Sequence, residues 1–277
     1  MKKTILFLAA CAVTMIANAQ ILEVVSMQQL PAASYDDARV AGVSPDGNYV
    51  LMTTGSNQGL KRYDIATDKL QTLSQAASAG FDVQISRDGK EIVYGERTFH
   101  ADRTSSMAYV HTNMQTNHKV MLNEQQAASA FATKSNVVLT NDEGTMYVIK
   151  NGKRILVAPF GTKERIYIWT SLSPDQTKIC YYLGDKGCYV CDIDGKNNRF
   201  IGYDCRAAQW YDNNTLIAQY DKDDGRFITA SAIVAYTLDG KYQVLTSPDM
   251  IAMDPYTASG KIVFSTIQGK TYMLNVK

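Results

Sequence analysis

Eight side chains in this sequence of 277 residues have the chemistry of a recognition surface. Arg97, Arg103, Arg165, Arg206 and Arg226 carry planar guanidinium forks that match carboxylates and phosphates. Phe99, Trp169 and Trp210 offer rings on which a ligand can stack. The same segments also hold Asp36, Asp37, Glu96, Asp102, Glu164, Asp204, Asp221, Asp223 and Asp224, so pairing with neighbours or plain solvation is the competing account of the arginines. Packing inside the fold is the competing account of Trp169, Trp210, Phe81 and Tyr167.

Signals for catalysis are thin. The three histidines, His100, His111 and His118, lie close together in sequence without metal-ligand spacing. There is no Gly-x-Ser-x-Gly elbow, no His-Glu-x-x-His and no Gly-Lys-Ser phosphate loop. Asp221-x-Asp223-Asp224-Gly225 and Asp192-x-Asp194-Gly195 start like calcium loops but lack the closing Glu. No catalytic residue, metal or cofactor is therefore assigned. Two carboxylates, Asp82 and Asp254, fall on segments expected to face inward, and they are what an enzyme acting on polysaccharide would use. Beyond Cys11 the cysteines are Cys180, Cys188, Cys191 and Cys205. Cys188 and Cys191, three apart on a strand, point to opposite faces. A hairpin centred between Asp185 and Lys186 would set Cys180 opposite Cys191, either bonded or as small buried apolar residues.

The elements that must position these groups show themselves as a repeat. Val43-Ser44-Pro45-Asp46-Gly47 followed by Tyr49-Val50-Leu51-Met52 recurs as Ile85-Ser86-Arg87-Asp88-Gly89 with Ile92-Val93-Tyr94, and as Leu172-Ser173-Pro174-Asp175 with Ile179-Cys180-Tyr181. Weaker copies surround Val137, Leu216 and Ile262. The spacings from Val50 through Ile92, Val137, Ile179 and Leu216 to Ile262 are 42, 45, 42, 37 and 46 residues. Each unit has a short apolar strand, a tight turn, a β-branched and aromatic strand, a variable loop and two further strands. Four strands in about 40 to 45 residues make a propeller blade, so the sequence predicts an all-β, six-bladed β-propeller of four-stranded antiparallel blades.

The Ser-Pro-Asp-Gly turns with their following apolar strands resemble the TolB-type, WD-repeat-like β-propellers of exported bacterial proteins, over residues 21–277. The resemblance implies a fold and not a chemistry. The final unit ends at its third strand, Tyr272 to Val276, while Leu22 to Leu30 forms an orphan strand at the other terminus. Pairing of the two would close the last blade and remove an open edge.

That topology assigns loops to ends. The Pro-Asp-Gly end is short and uniform, and the opposite end varies. Insertions at Gly95 to Ser106 in blade 2 and Tyr220 to Thr229 in blade 5 rise there, three blades apart. Six of the ten arginines map to that end: Arg39, Arg97, Arg103, Arg165, Arg206 and Arg226.

Balance and address complete the reading. With 28 Lys+Arg against 27 Asp+Glu and 45% hydrophobic residues, the chain is neither disordered nor a nucleic-acid binder. Met1-Lys2-Lys3, the apolar Thr4 to Ile16 and Ala17-Asn18-Ala19 read as a cleavable signal peptide over residues 1–19, with a single propeller domain over 20–277. Leu8-Ala9-Ala10-Cys11 offers acylation at Cys11 as the alternative. No later run is long enough to span a bilayer. The expectation is a periplasmic or cell-exterior scaffold, monomeric and non-enzymatic. It would bind a protein, peptide or acidic saccharide through the variable end. The alternative is a polysaccharide hydrolase or lyase working from carboxylates near the channel.

Overall fold

A computed structural model describes residues 20–128, 130, 137–142, 144–162 and 166–277. The expected signal peptide and the acylation alternative lie outside the described residues. The chain enters as β1 (Val24–Gln29) and a short 3-10 turn (Pro31–Ala33). Blade 1 follows as β2 (Ala38–Val43), β3 (Tyr49–Thr54), β4 (Leu60–Asp64) and β5 (Lys69–Ser74). Blade 2 is β6 (Gln84–Ile85), β7 (Glu91–Phe99), β8 (Ser105–Asn113) and β9 (Lys119–Leu122), followed by α1 (Glu124–Ala128). Blade 3 shows β10 (Val137–Asp142), β11 (Thr145–Lys150) and β12 (Lys153–Val157) among the described residues. Blade 4 is β13 (Tyr167–Leu172), β14 (Lys178–Leu183), β15 (Gly187–Asp192) and β16 (Arg199–Gly202). Blade 5 is β17 (Arg206–Trp210), β18 (Thr215–Asp223), β19 (Ile228–Thr237) and β20 (Tyr242–Val244). Blade 6 is β21 (Ala252–Ala258), β22 (Lys261–Thr266) and β23 (Thr271–Val276), with β1 as its outermost strand. Every pairing is antiparallel, and the six sheets form the expected β-propeller.

The core is a set of seams between blades, which explains why the second strand of each blade is apolar without interruption. Side chains alternate across a strand. In β14, Ile179 and Tyr181 pack toward Val148 and Val157 of blade 3, while Cys180 packs toward Leu216 and Ala218 of blade 5. In β3, Val50 and Met52 meet Val263 and Met273 of blade 6, while Tyr49 and Leu51 meet Ile92 and Tyr94 of blade 2. Both faces are buried, so no polar alternation remains.

The repeated turn is held by its own side chains. The Ser44 hydroxyl donates to Asp46 at 2.6 Å and accepts the backbone N–H groups of Asn48 and Tyr49, both at 3.0 Å. Ser86 with Asp88 and Ser173 with Asp175 repeat the arrangement at 2.7 and 2.6 Å. The most conspicuous motif in the sequence is thus consumed in building hairpins.

Closure runs as expected. β1 pairs with β23 from Val24 opposite Val276 to Gln29 opposite Tyr272. Backbone bonds continue past it, Glu23 N–H to Lys277 O at 2.9 Å and Leu30 N–H to Thr271 O at 2.9 Å. Leu22 and Leu30 anchor the strand in two different seams, between blades 5 and 6 and between blades 6 and 1.

One expectation is corrected. The β14/β15 hairpin is centred on Asp185, with Leu183 opposite Gly187, because a three-residue loop is closed by Gly187 in the left-handed region at φ 90°. The one-residue change sets Cys180 opposite Val190 and Cys191 opposite Ile179. Cys180 and Cys191 therefore occupy opposite seams, and all four described cysteines are free and buried. Cys180 neighbours Cys188 instead, with 3.5 Å between sulfurs.

Candidate recognition face and axial channel

In blades 2 and 5 the middle strands outgrow the rest. β7 and β8 stay paired to Phe99 opposite Ser105, and β18 and β19 to Asp223 opposite Ile228. The two insertions are therefore β-ribbons that rise from the variable end on opposite sides of the ring.

The tips settle part of the question about the arginines. Acids at and below the tips are engaged by their own surroundings. Asp102 accepts the Thr104 hydroxyl at 2.7 Å and its N–H at 3.0 Å, and this hydroxyl bond holds its carboxyl below the usual range. Asp224 accepts the N–H groups of Arg226 and Phe227 at 2.9 and 2.8 Å, which hold its carboxyl low as well. Glu96 accepts the Ser74 hydroxyl at 2.6 Å. Among the described residues, no carboxylate lies within ion-pair reach of Arg97, Arg103 or Arg226. Arg226 instead lies over the Phe227 ring at 5.7 Å.

Two other arginines are tied down. Arg39 is held between Asp37 at 3.5 Å and Asp254 at 3.7 Å and donates to the carbonyls of Ala38 and Thr266, so it is a joint between blades 1 and 6. Arg206 faces Asp221 at 3.5 Å; that buried carboxylate also accepts Gln219 Nε2 at 2.9 Å and the Ser231 hydroxyl at 2.6 Å. Arg165 lies outside the described residues.

The aromatic residues divide evenly. Trp210 and Tyr167 are buried in seams, Trp210 donating Nε1–H to Ser171 O at 3.1 Å. Trp169 and Phe81 do not pack away; they are 42% and 64% exposed. The reason for Trp169 is a backbone device that sequence reasoning missed. The inner strands β13, β17 and β21 carry a bulge with one residue in the left-handed region: Trp169 (φ 50°), Ala207 (φ 49°) and Asp254 (φ 52°). Asp82, just before β6, has the same conformation at φ 51°. All four stand four residues ahead of the first turn, at Ser86, Ser173, Tyr211 and Ala258 respectively. Non-glycine residues take this conformation rarely, so its recurrence at one position of the blade marks a built feature. The Trp169 indole is braced edge-on by Tyr182 at 5.1 Å, and the Tyr182 hydroxyl donates to Tyr203 O at 3.1 Å.

Asp82 and Asp254 take the same backbone conformation in blades 2 and 6. Asp82 touches water, but surrounding protein pushes its carboxyl up. Burial raises Asp254 as well, opposed by Arg39 and reinforced by Asp221. Tyr256 is raised by burial first, and by the charges of Asp254 and Asp82. A raised carboxyl means that the folded chain binds the proton more tightly than the unfolded chain. Its stabilising contribution is whole below the unfolded value and is lost as pH climbs through the folded value. Asp82→Asn is therefore expected to raise the melting temperature at pH 7 and to leave it unchanged well below the ordinary aspartate range; melting curves across pH check both limbs.

One more signal was absent from the residue types alone. Of 17 large apolar side chains that are exposed among the described residues, Phe81, Phe99, Ile166, Trp169, Tyr203, Phe227 and Ile267 lie at the variable end. The others sit on the outer strands of the wheel, and none lies at the Pro-Asp-Gly end. The described residues include no helix long and apolar enough to cross a membrane.

No protein-family model matches the sequence, and no curated protein does. Among solved structures, the chain is similar to TolB from Acinetobacter baumannii, with a TM-score of 0.53 and 10% identity over 80% of this chain. It spans only 57% of the length of that protein. It is similar to a putative TolB from Agrobacterium tumefaciens at TM-score 0.55 and 12% identity, covering 91% of this chain and 96% of that one. A chain of a mitotic checkpoint complex matches at TM-score 0.54 and 9% identity, over 99% of this chain and 98% of the other. At such identities the likeness is one of fold: the chain has the TolB-type, WD-repeat-like propeller that its turn motifs resemble.

Proposed function

We propose that this chain is an exported, non-catalytic binding scaffold that engages a protein or peptide through the variable end. One observation carries the reading: exposed rings and aliphatic side chains gather at that end and are missing from the opposite end among the described residues. Apolar patches of this kind mark interaction sites, and aromatic and arginine side chains dominate binding energy where they occur. Arg97, Arg103 and Arg226, with Phe99, Trp169 and Arg206, would form the contact set, Arg165 adding to it. An acidic group on the partner, whether a carboxylate side chain or a uronic acid, suits the three arginines that have no carboxylate partner among the described residues. The signal-like residues 1–19 support export, the pairing of β1 with β23 supports a monomer, and the ring of six sheets supports a single domain over 20–277.

The test is affinity capture from the envelope fraction of the producing cell, followed by titration of the captured protein. Arg97→Ala, Arg103→Ala, Arg226→Ala and Trp169→Ala are each expected to weaken binding, the strongest by roughly 30-fold, the scale of a hot-spot truncation. Unchanged affinity in all four would refute the face.

A second reading is favoured by Asp82 and Asp254, whose carboxyls are both raised by burial and which take the same left-handed conformation in blades 2 and 6. A carboxyl held neutral beside one that ionises is the acid and base pair of glycoside chemistry. Turnover of a polyuronide or oligosaccharide that disappears in both Asp82→Asn and Asp254→Asn would replace the scaffold reading.

A further inference from the structure

The β7/β8 ribbon outruns the strands that flank it. β9 covers β8 only from Tyr109, opposite Leu122, to Thr112, opposite Lys119. Ser105 to Ala108 therefore have β7 on one side and no described strand on the other. Three backbone bonds fix which groups face outward. His100 N–H donates to Thr104 O, Asn113 N–H to His118 O of the β9 side, and Arg97 N–H points away from β8 to Ala77 O. Because ladder bonds alternate along an antiparallel strand, Ser106 and Ala108 bond to β7. Ser105 and Met107 turn their N–H and C=O groups to the open side, where none of these has a partner among the described residues.

The outermost strands of the wheel are guarded. β5, β9, β12 and β16 start with Lys69, Lys119, Lys153 and Arg199, β20 has three residues, and β1 is broken by a bulge after Val24. Charges, shortness and bulges are the usual protections of a sheet edge. Ser105-Ser106-Met107-Ala108 has none of them, and α1, which packs against β8, is the described element that lies beside it. Beside this edge lies a strip formed by cross-strand pairing, with Phe99 opposite Ser105 and Arg97 opposite Met107 on one face. Phe99 is 71% exposed, and the Arg97 guanidinium donates to the Ser105 hydroxyl at 3.1 Å, which sets its charge over β8 on that face.

We propose that an extended segment of a partner protein adds as a further strand along Ser105 to Ala108, its inward apolar side chains meeting Phe99 and Met107 and an acidic one meeting Arg97. The inference rests on the reading of the variable end as a binding face and narrows it to main-chain pairing. Strand addition draws affinity from backbone bonds and specificity from alternate side chains.

The experiment pans a displayed library of random decapeptides against the full chain, and then methylates the backbone nitrogens of a selected peptide one at a time. Strand pairing predicts an alternating profile: methylation at inward amides lowers affinity about tenfold and at outward amides hardly at all. Met107→Pro and Ser105→Pro, which remove only outward donors, are expected to lower affinity about tenfold as well, and the peptide scan stands even if a proline variant misfolds. A flat methylation profile, binding indifferent to both prolines, or a library that yields no binder would overturn the proposal. Peptides that depend on Trp169 and Arg206 but show no alternation would leave the binding face standing and remove strand addition. Concentration-dependent dimerisation abolished by Met107→Pro would assign the edge to a second copy of the chain, and the partner segment would fall.

Discussion

An internal deletion of residues 24–29 is expected to lower the thermal midpoint by more than about 10 °C, the largest loss that any short excision from this fold should produce. Among the described residues β1 is the one strand that covers β23 on its outer side, and it carries the bond between the N-terminal and C-terminal segments. Leu30, 2% exposed, sits in the seam of blades 6 and 1 with Val40 and Met273. Leu30→Ala alone should cost about 2 to 5 kcal/mol by the cavity it opens. At about 2 °C per kcal/mol for a chain of this size, the point substitution gives roughly 4 to 10 °C. The deletion adds the ladder and the anchoring of Leu22. Differential scanning calorimetry reads both; an equal midpoint in the deleted chain would mean that the wheel does not depend on its clasp.

Gly269→Ala should be nearly as damaging, for a different reason. Gly269 is at φ 73°, in the loop between β22 and β23, where the segment linking β1 to β2 crosses it. A Cβ there would collide with Tyr35 O and stand 2.9 Å from the backbone nitrogens of Asp37 and Ala38. These are main-chain atoms of the blade 6 to blade 1 junction, so no rotamer change relieves the contact. The left-handed backbone adds about 1 kcal/mol for a non-glycine residue, and overpacking of this kind adds about 1 to 3 kcal/mol. Gly225, at φ 91° on the blade 5 ribbon with nothing within 4 Å, is the matched control. Gly225→Ala should show only the conformational part. If chemical denaturation gives the two variants equal midpoints, the junction is slack and the packing argument is wrong.

The contrast between these positions explains how much of the molecule could be read from its sequence. The blades were legible because second strands such as β3 and β14 are buried on both faces and the first turns of blades 1, 2 and 4 are built on their own Ser and Asp. Closure was legible because an unpaired terminal strand and an incomplete last blade are complementary defects. Register was not. Whether a hairpin centres on Asp185 or between Asp185 and Lys186 depends on the left-handed turn at Gly187, and a one-residue change carries Cys180 to the other seam. The site was legible in outline only. Arg97, Phe99, Arg103 and Arg226 could be placed on a rim because loop position follows from strand order. Trp169 and Trp210 could not be separated by type, since the first is turned outward by an inner-strand bulge and the second is not. Nor does sequence show that Asp102 and Asp224 spend their charge on their own loops, leaving the neighbouring guanidinium groups without a carboxylate.

The recurring left-handed position has a consequence for how such a protein changes. At Asp82, Trp169, Ala207 and Asp254 the backbone performs the same manoeuvre while the residue differs: two acids, an indole and a methyl. The seams between blades do not depend on which of them is there. The lumen therefore behaves like a row of identical sockets fitted with different plugs, and its chemistry can be rewritten one plug at a time while the wheel around it stays as it is.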